Sequence, residues 1–244
     1  MIKLIYLLWP RQPMKPMDRR VALLEQCAPK LLESGARYLL MSVDDDLVTV
    51  PSPTPTTKLT NPFAAEVSIW VEDLDVHGLL EGVLRDAGFE VAGYRVREHV
   101  YTDYGGNEHG ARRDWPDGER SPYVISVTPL ERPKRIPKDR WMRHWFNRQG
   151  PMSEKMQPRA RYVRNVVDEV LTPGAFPYEG IVEESWPSPG HMTNPFIFYG
   201  ARNRLELVKN MAIMMQSVAA FLPIWKITSV PMSEYFVRSP HRRK

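Results

Sequence analysis

The amino-acid sequence predicts an α+β fold assembled from two ferredoxin-like halves, each running β-α-β-β-α-β. Three observations predict it. The same succession of strand and helix signals occurs twice along the chain. A proline, Pro29 and then Pro151, falls partway along the first helix of each half. An Arg-Tyr pair, Arg37-Tyr38 and then Arg161-Tyr162, opens the second strand each time. The expected divisions are a first half over 1–103, a linker or lid over 104–121, a second half over 122–238 and a basic tail over 239–244.

In the first half, apolar Ile2–Trp9 reads as a buried strand, and Pro10, Pro13 and Pro16 make a turn. Val21, Leu24, Ala28, Leu31 and Leu32 then form one helical stripe, with Asp18 as the expected N-cap and Gly35 as the stop. Arg37–Val43 is the second strand, Pro51–Pro55 a loop and Ala65–Val71 the third strand. Val76, Leu79, Leu80, Val83 and Ala87 have helical spacing up to Gly88, and Phe89–Tyr101 supplies the fourth strand.

The second half opens with a strand at Tyr123–Thr128 and a turn at Pro129, Pro133 and Pro137. A helix from Lys138 is expected to be interrupted at Gly150-Pro151 and to resume toward Ala160. Arg161–Val167 and Tyr178–Trp186 read as strands. Leu205, Val208, Met211, Ala212, Met215, Val218, Ala219 and Leu222 make a long helical stripe, and Ile224–Val237 is extended.

Bulk properties narrow the class. The 244 residues, 43 % of them apolar and 25 % charged, can bury a core without metal or disulfide support. The single cysteine, Cys27, has no internal partner, and no Cys/His zinc spacing occurs, which fits a reducing, cytoplasmic setting without a structural metal. The net charge of +4 lacks a basic stripe with interleaved aromatics, so no nucleic-acid partner is expected. Ile2–Trp9 is far shorter than a membrane span and lacks the flanks of a signal peptide. No Gly-rich phosphate cradle and no GxSxG elbow is present, so no nucleotide, flavin or other cofactor is expected.

A four-stranded sheet with both helices on one face leaves its other face to be covered. Packing two such sheets together closes a barrel, either within one chain or between chains, and leaves a pocket walled by alternate strand residues.

Three blocks in the second half carry a resemblance: His144-Trp145-Phe146-Asn147-Arg148-Gln149-Gly150-Pro151, Arg161-Tyr162-Val163-Arg164-Asn165-Val166-Val167, and Tyr178-Glu179-Gly180-Ile181-Val182-Glu183-Glu184-Ser185-Trp186. In this order they resemble the EthD family. The resemblance implies a dimeric α+β barrel fold, a homodimer, and small-molecule chemistry on polyketide, aromatic or other catabolic intermediates. Similar proteins are cofactor-free decarboxylases, cyclases, dehydratases, lyases and monooxygenases, and related barrels can carry haem through one histidine. The family's histidine before Gly-Pro is Gln149 here, which hydrogen-bonds but does not titrate.

The candidate catalytic residues are His99, Tyr101, Tyr162, Asn165, Glu183 and His144. His99 and Tyr101, two apart on a strand, share a face and suit proton transfer near neutral pH; the plainer reading is a solvated edge. Tyr162 and Asn165 suit stabilisation of a developing oxyanion, or are satisfied structural groups. Glu183 and Glu184 face opposite sides of a strand, so one faces the barrel, and Glu183 is slightly favoured as an acid or base. Trp145, Gln149, Arg161, Tyr178 and Trp186 are the candidate substrate-binding residues, with core packing the plainer role for the aromatics. The sequence thus points to a cofactor-independent lyase, decarboxylase or isomerase acting by proton transfer on a hydrophobic aromatic or phenolic compound. A cofactor-free oxygenase and a non-enzymatic binding protein are the alternatives.

Overall fold

The structure is a computed structural model that describes residues 1–54 and 61–239. Pro55 of the expected loop and the basic residues His241, Arg242, Arg243 and Lys244 of the expected tail lie outside the described residues. The strands are β1 (Ile2–Pro10), β2 (Tyr38–Val43), β3 (Ala65–Val71), β4 (Phe89–Thr102), β5 (Val124–Leu130), β6 (Arg161–Val170), β7 (Gly180–Trp186) and β8 (Val230–Arg238). The helices are α1 (residues 16–33), α2 (His77–Asp86), α3 (residues 138–156), the short α4 (Pro189–Thr193) and α5 (Pro195–Phe198), and α6 (Arg204–Ala219). Among the described residues, no helix is long and apolar enough to cross a membrane.

The eight strands close into one antiparallel barrel in the order β1-β3-β2-β8-β5-β7-β6-β4. The sheet edges meet where β2 pairs with β8 and β4 pairs with β6, so the barrel closes within one chain. Closure leaves no sheet edge unpaired, and a second copy is not needed to cover a bare face.

Strand alternation sets two environments. On β1, Leu4, Tyr6 and Leu8 face outward and pack with Leu23 and Leu31 of α1 and Leu80 of α2. Ile5 and Leu7 face inward with Tyr94, Val127, Val167, Ile181 and Met232. One residue pair further along the barrel the interior turns polar. Lys3 donates to Glu183 at 2.9 Å and to Glu98 at 2.7 Å. Arg161 donates to the second Glu183 oxygen at 3.1 Å and reaches Glu234 at 3.4 Å. Glu66 accepts from Ser68 at 2.6 Å. These side chains occupy the space where an aromatic-lined cavity between the sheets is expected from the sequence. Glu183, Glu234 and Glu66 have no exposed surface.

The residues 104–121 are a packed strap. Tyr104 is buried; its hydroxyl donates to Glu234 at 2.6 Å and accepts from the Ser185 hydroxyl at 2.7 Å. Trp115, Tyr123 and Phe236 stack around its ring.

Both first helices are continuous. Each contains one wide, π-type stretch, Ala22–Cys27 in α1 and Trp145–Gln149 in α3. Ala28 N–H donates to Leu23 O, and Gly150 N–H donates to Trp145 O, each five residues back. The next residue is Pro29 or Pro151, which has no N–H to give and crowds the carbonyl four positions earlier. The interruption expected at Gly150-Pro151 is therefore a wide turn and not a break. Two further features come from the tertiary structure. Arg37 is outward and exposed, paired with Glu72, whereas Arg161 is inward, so the two Arg-Tyr pairs stand on opposite sheet faces. The stripe on α6 is mostly exposed, Leu205 at 81 % and Val208 at 66 %, with its last member Leu222 buried beyond the helix end, while Met214, off the stripe, is the buried residue within α6; this helix lies at the periphery and meets α3 on one side only.

The interior carboxylates titrate in opposite senses. Burial, reinforced by the Glu183 charge, pushes Glu66 up to about 8 despite Lys3. Burial also opposes the Glu183 charge, but Lys3 and Arg161 outweigh it and pull Glu183 down to about 2. Glu66 therefore contributes stability that is complete below its ordinary value of 4.5 and is lost as pH rises through about 8. Glu183 contributes stability present above 4.5 and lost as pH falls through about 2. Replacing Glu66 with Gln should raise the melting temperature at pH 9 by more than at pH 5. Equal shifts at both pH values in a thermal-melt series would contradict this assignment.

Candidate functional site

The site is built on the outer face of the β4–β6 seam, beneath α3. In register, His99 of β4 lies opposite Arg164 of β6, and a bulge between Val100 and Thr102 shifts the pairing so that Thr102 meets Tyr162. Bulges re-aim side chains, and this one falls at Tyr101. The ring of Tyr101 lies 5.7 Å from that of Tyr162. Across the groove, Phe146 of α3 meets His99 edge-to-face at 5.1 Å.

Arg164 stands at the centre. Its guanidinium lies 4.0 Å from the Phe146 ring centroid, 4.8 Å from that of Tyr101 and 5.7 Å from that of Tyr162. It passes close under α3 because Gly150 has no side chain there; a Cβ at that position would sit 3.0 Å from Nη1. Trp145 reaches the sheet by the same device, over Gly180, where a Cβ would lie 2.6 Å from its ring.

Arg164 is 7 % exposed, and among the described residues its Nε and Nη1 have no hydrogen-bond partner. Among the described residues it forms no ion pair. The carboxylates nearby are taken: Glu154 accepts from Thr102 and, at 2.7 Å, from Arg159, while Glu184 pairs with Arg159. A buried guanidinium with free N–H groups is costly, and an anion supplied from outside would satisfy it. Burial lowers the Arg164 pKa. The His99 pKa is also lowered, by burial first and then by the Arg164 and Arg97 charges, which favours the neutral imidazole that accepts a proton.

The sequence candidates divide between several places. His99, Tyr101 and Tyr162 come together around Arg164. Glu183, Asn165 and Arg161 face the closed barrel interior, where Asn165 donates to Glu183 at 2.8 Å. Tyr162 and Asn165, three apart on β6, thus face opposite sides and share no site. Glu184 faces outward, so Glu183 is the inward member of that pair. His144 points toward α6, with Nε2 2.9 Å from the Ser217 carbonyl and its ring stacked on Phe221. Trp145 is buried between Trp141 and Phe146. Gln149 donates to Met214 Sδ at 3.3 Å and leaves its own oxygen buried without a partner. Tyr178 packs on Tyr94 and Phe176 beside the apolar part of the interior. Trp186 is buried outside the barrel, stacked on Phe198 and donating to Ser126 at 3.1 Å. Core packing therefore occupies Trp145 and Trp186.

Sequence reasoning missed Arg164 and Phe146. The signal was present for Arg164, which stands two residues from Tyr162 on a strand and so shares its face. Phe146 comes to His99 only through the wide turn in α3.

No protein-family model matches the chain, and no curated protein matches it. Solved structures do. An anthrone oxidase-like protein superposes with a TM-score of 0.58 at 9 % identity, covering 97 % of this chain and 92 % of that one. A dye-decolorizing peroxidase from Bacteroides thetaiotaomicron gives a TM-score of 0.51 at 10 % identity, covering 96 % and 93 %. At these identities the likeness fixes the fold, which is that of the dimeric α+β barrel proteins.

Because Arg164 is unpaired, it should add little to folding. Arg164→Met, which keeps the stem and removes the free N–H groups, should melt at or above the wild-type temperature. A fall of several degrees would mean that its ring contacts hold the fold, and would count against a ligand-binding role.

Proposed function

We propose that the protein is a cofactor-independent enzyme that abstracts a proton from a hydrophobic aromatic or phenolic compound, in lyase, decarboxylase or isomerase chemistry. The observation that carries this reading is the buried, unpaired Arg164 within an aromatic rim. Arg164 binds a carboxylate or phenolate and holds the negative charge that develops on the ring system. Phe146 and Tyr101 hold the ring itself. His99, at the open edge, takes the proton; Tyr101 and Tyr162 donate hydrogen bonds to the forming oxyanion. Glu183, Asn165 and Arg161 support the site from inside the barrel and do not touch substrate.

A second reading is oxygenation: the same stabilised carbanion would pass an electron to O₂. The likeness to an anthrone oxidase-like protein favours it. A third reading, ligand binding without turnover, uses the same pocket.

The local features also support a tandem duplication of one ferredoxin-like unit. Strands β1–β4 run in the barrel as 4-1-3-2 and strands β5–β8 as 8-5-7-6, and each unit has its wide turn one residue before a proline. The three sequence blocks support a resemblance of the second unit to the EthD family. A homodimer, if built, would use the outer surface, since every barrel edge is already paired. The lone buried Cys27 fits a cytoplasmic setting.

The test is binding and turnover of hydroxybenzoates, followed by calorimetry and by NMR of substrate C–H exchange in D₂O. Arg164→Met should weaken binding at least about tenfold, or about 1.4 kcal/mol. His99→Phe should keep binding and slow exchange at least about a hundredfold. The rate should fall on acidification with a midpoint below 6.5, the ordinary histidine value, because the His99 pKa is lowered. Oxygen uptake during turnover selects the oxygenase reading. Full activity in both variants would overturn the site.

A further inference from the structure

On the far side of α3 from Arg164, a groove of about 740 Å³ runs between α3 and α6. This volume falls in the range of small-molecule pockets. Its α3 wall carries Arg148 and Lys155, and its apolar floor includes Met152, Met156 and Ile213. Among the described residues, no acidic side chain lines it.

The charge is uncompensated. On α3, Arg143 pairs with Asp139 one turn away at 2.7 Å. Arg148 and Lys155 have no such partner among the described residues. They are seven positions apart, hence on one face and about 10 Å from each other along the axis. His144, also lining the groove, has its pKa lowered by burial and, further, by the charge of Arg148. Two free cations separated by methionines form a surface complementary to a molecule with an anionic head and an apolar body, and methionine side chains adapt to such bodies.

The geometry points to this groove as a second binding site, for an amphipathic carboxylate, separate from the Arg164 site. Arg148 or Lys155 holds the carboxylate, and the alkyl or aryl body lies along Met152, Met156 and Ile213. The site does not depend on the function proposed for Arg164, because the two lie on opposite sides of α3.

The experiment is calorimetric titration of the full chain with decanoate below its micelle concentration, with octan-1-ol as the uncharged control. Decanoate should bind the wild type. The double variant Arg148→Ala/Lys155→Ala, altered only at exposed positions, should bind it at least about tenfold more weakly. Arg164→Met should bind decanoate as the wild type does, and octan-1-ol should show no difference between wild type and double variant. No decanoate binding, equal binding by the double variant, or loss of binding in Arg164→Met would each overturn the proposal. The last result would assign the ligand to the other face of α3.

Discussion

The Glu183 carboxylate inside the barrel is the contact on which the rest of the structure depends. It accepts from Lys3 on β1, from Arg161 and Asn165 on β6, and its neighbour Glu234 on β8 extends the chain of contacts to Tyr104 in the strap. Lys3 and Glu183 are 180 residues apart in sequence, so the pair joins the first four strands to the last four. A buried charge without such partners would carry a desolvation cost of several kcal/mol. With them, it fixes the relative register of β1, β6 and β7 from the inside.

The knot has a consequence for chemistry. A barrel interior filled by two cations, their carboxylates and a packed apolar layer offers little room for substrate, so the site proposed around Arg164 lies outside it. Arg164 is on the outer face because it is odd in register with Arg161 and Asn165, and one residue's difference decides between a sealed ion pair and a guanidinium open to an anion. Gly150 and the wide turn before Pro151 then set the height of α3 above the sheet, leaving space for the guanidinium and bringing Phe146 to His99.

Much of the fold was legible in the sequence because local chemistry specifies it. Alternating apolar residues marked Ala65–Val71, Gly35 and Gly88 marked helix ends, and the prolines at 29 and 151 marked matching positions. What the sequence left open shares a cause. The Arg-Tyr pairs matched as letters but differ in strand phase, and the α6 stripe had helical period without a surface to bury it. Period shows that a segment has an apolar side; it does not show what lies against that side.

The candidate site was legible in part. His99, Tyr101 and Tyr162 were identified from side-chain chemistry and strand parity, and these are also the three that the fold gathers. Gln149, His144 and Trp145 lie on the same helix as Phe146 but point elsewhere, since the wide turn rotates successive side chains off the α-helical phase. By itself the sequence determined the order of elements, the face-sharing of residues two apart on a strand, and the absence of phosphate-cradle and zinc motifs. Only the tertiary structure decided that the barrel closes within one chain, that Glu183 and not Glu184 faces inward, and that Arg164 is left without a carboxylate. Those outcomes depend on strand register and on which of several nearby carboxylates each cation reaches, quantities set by contacts between residues far apart in the chain.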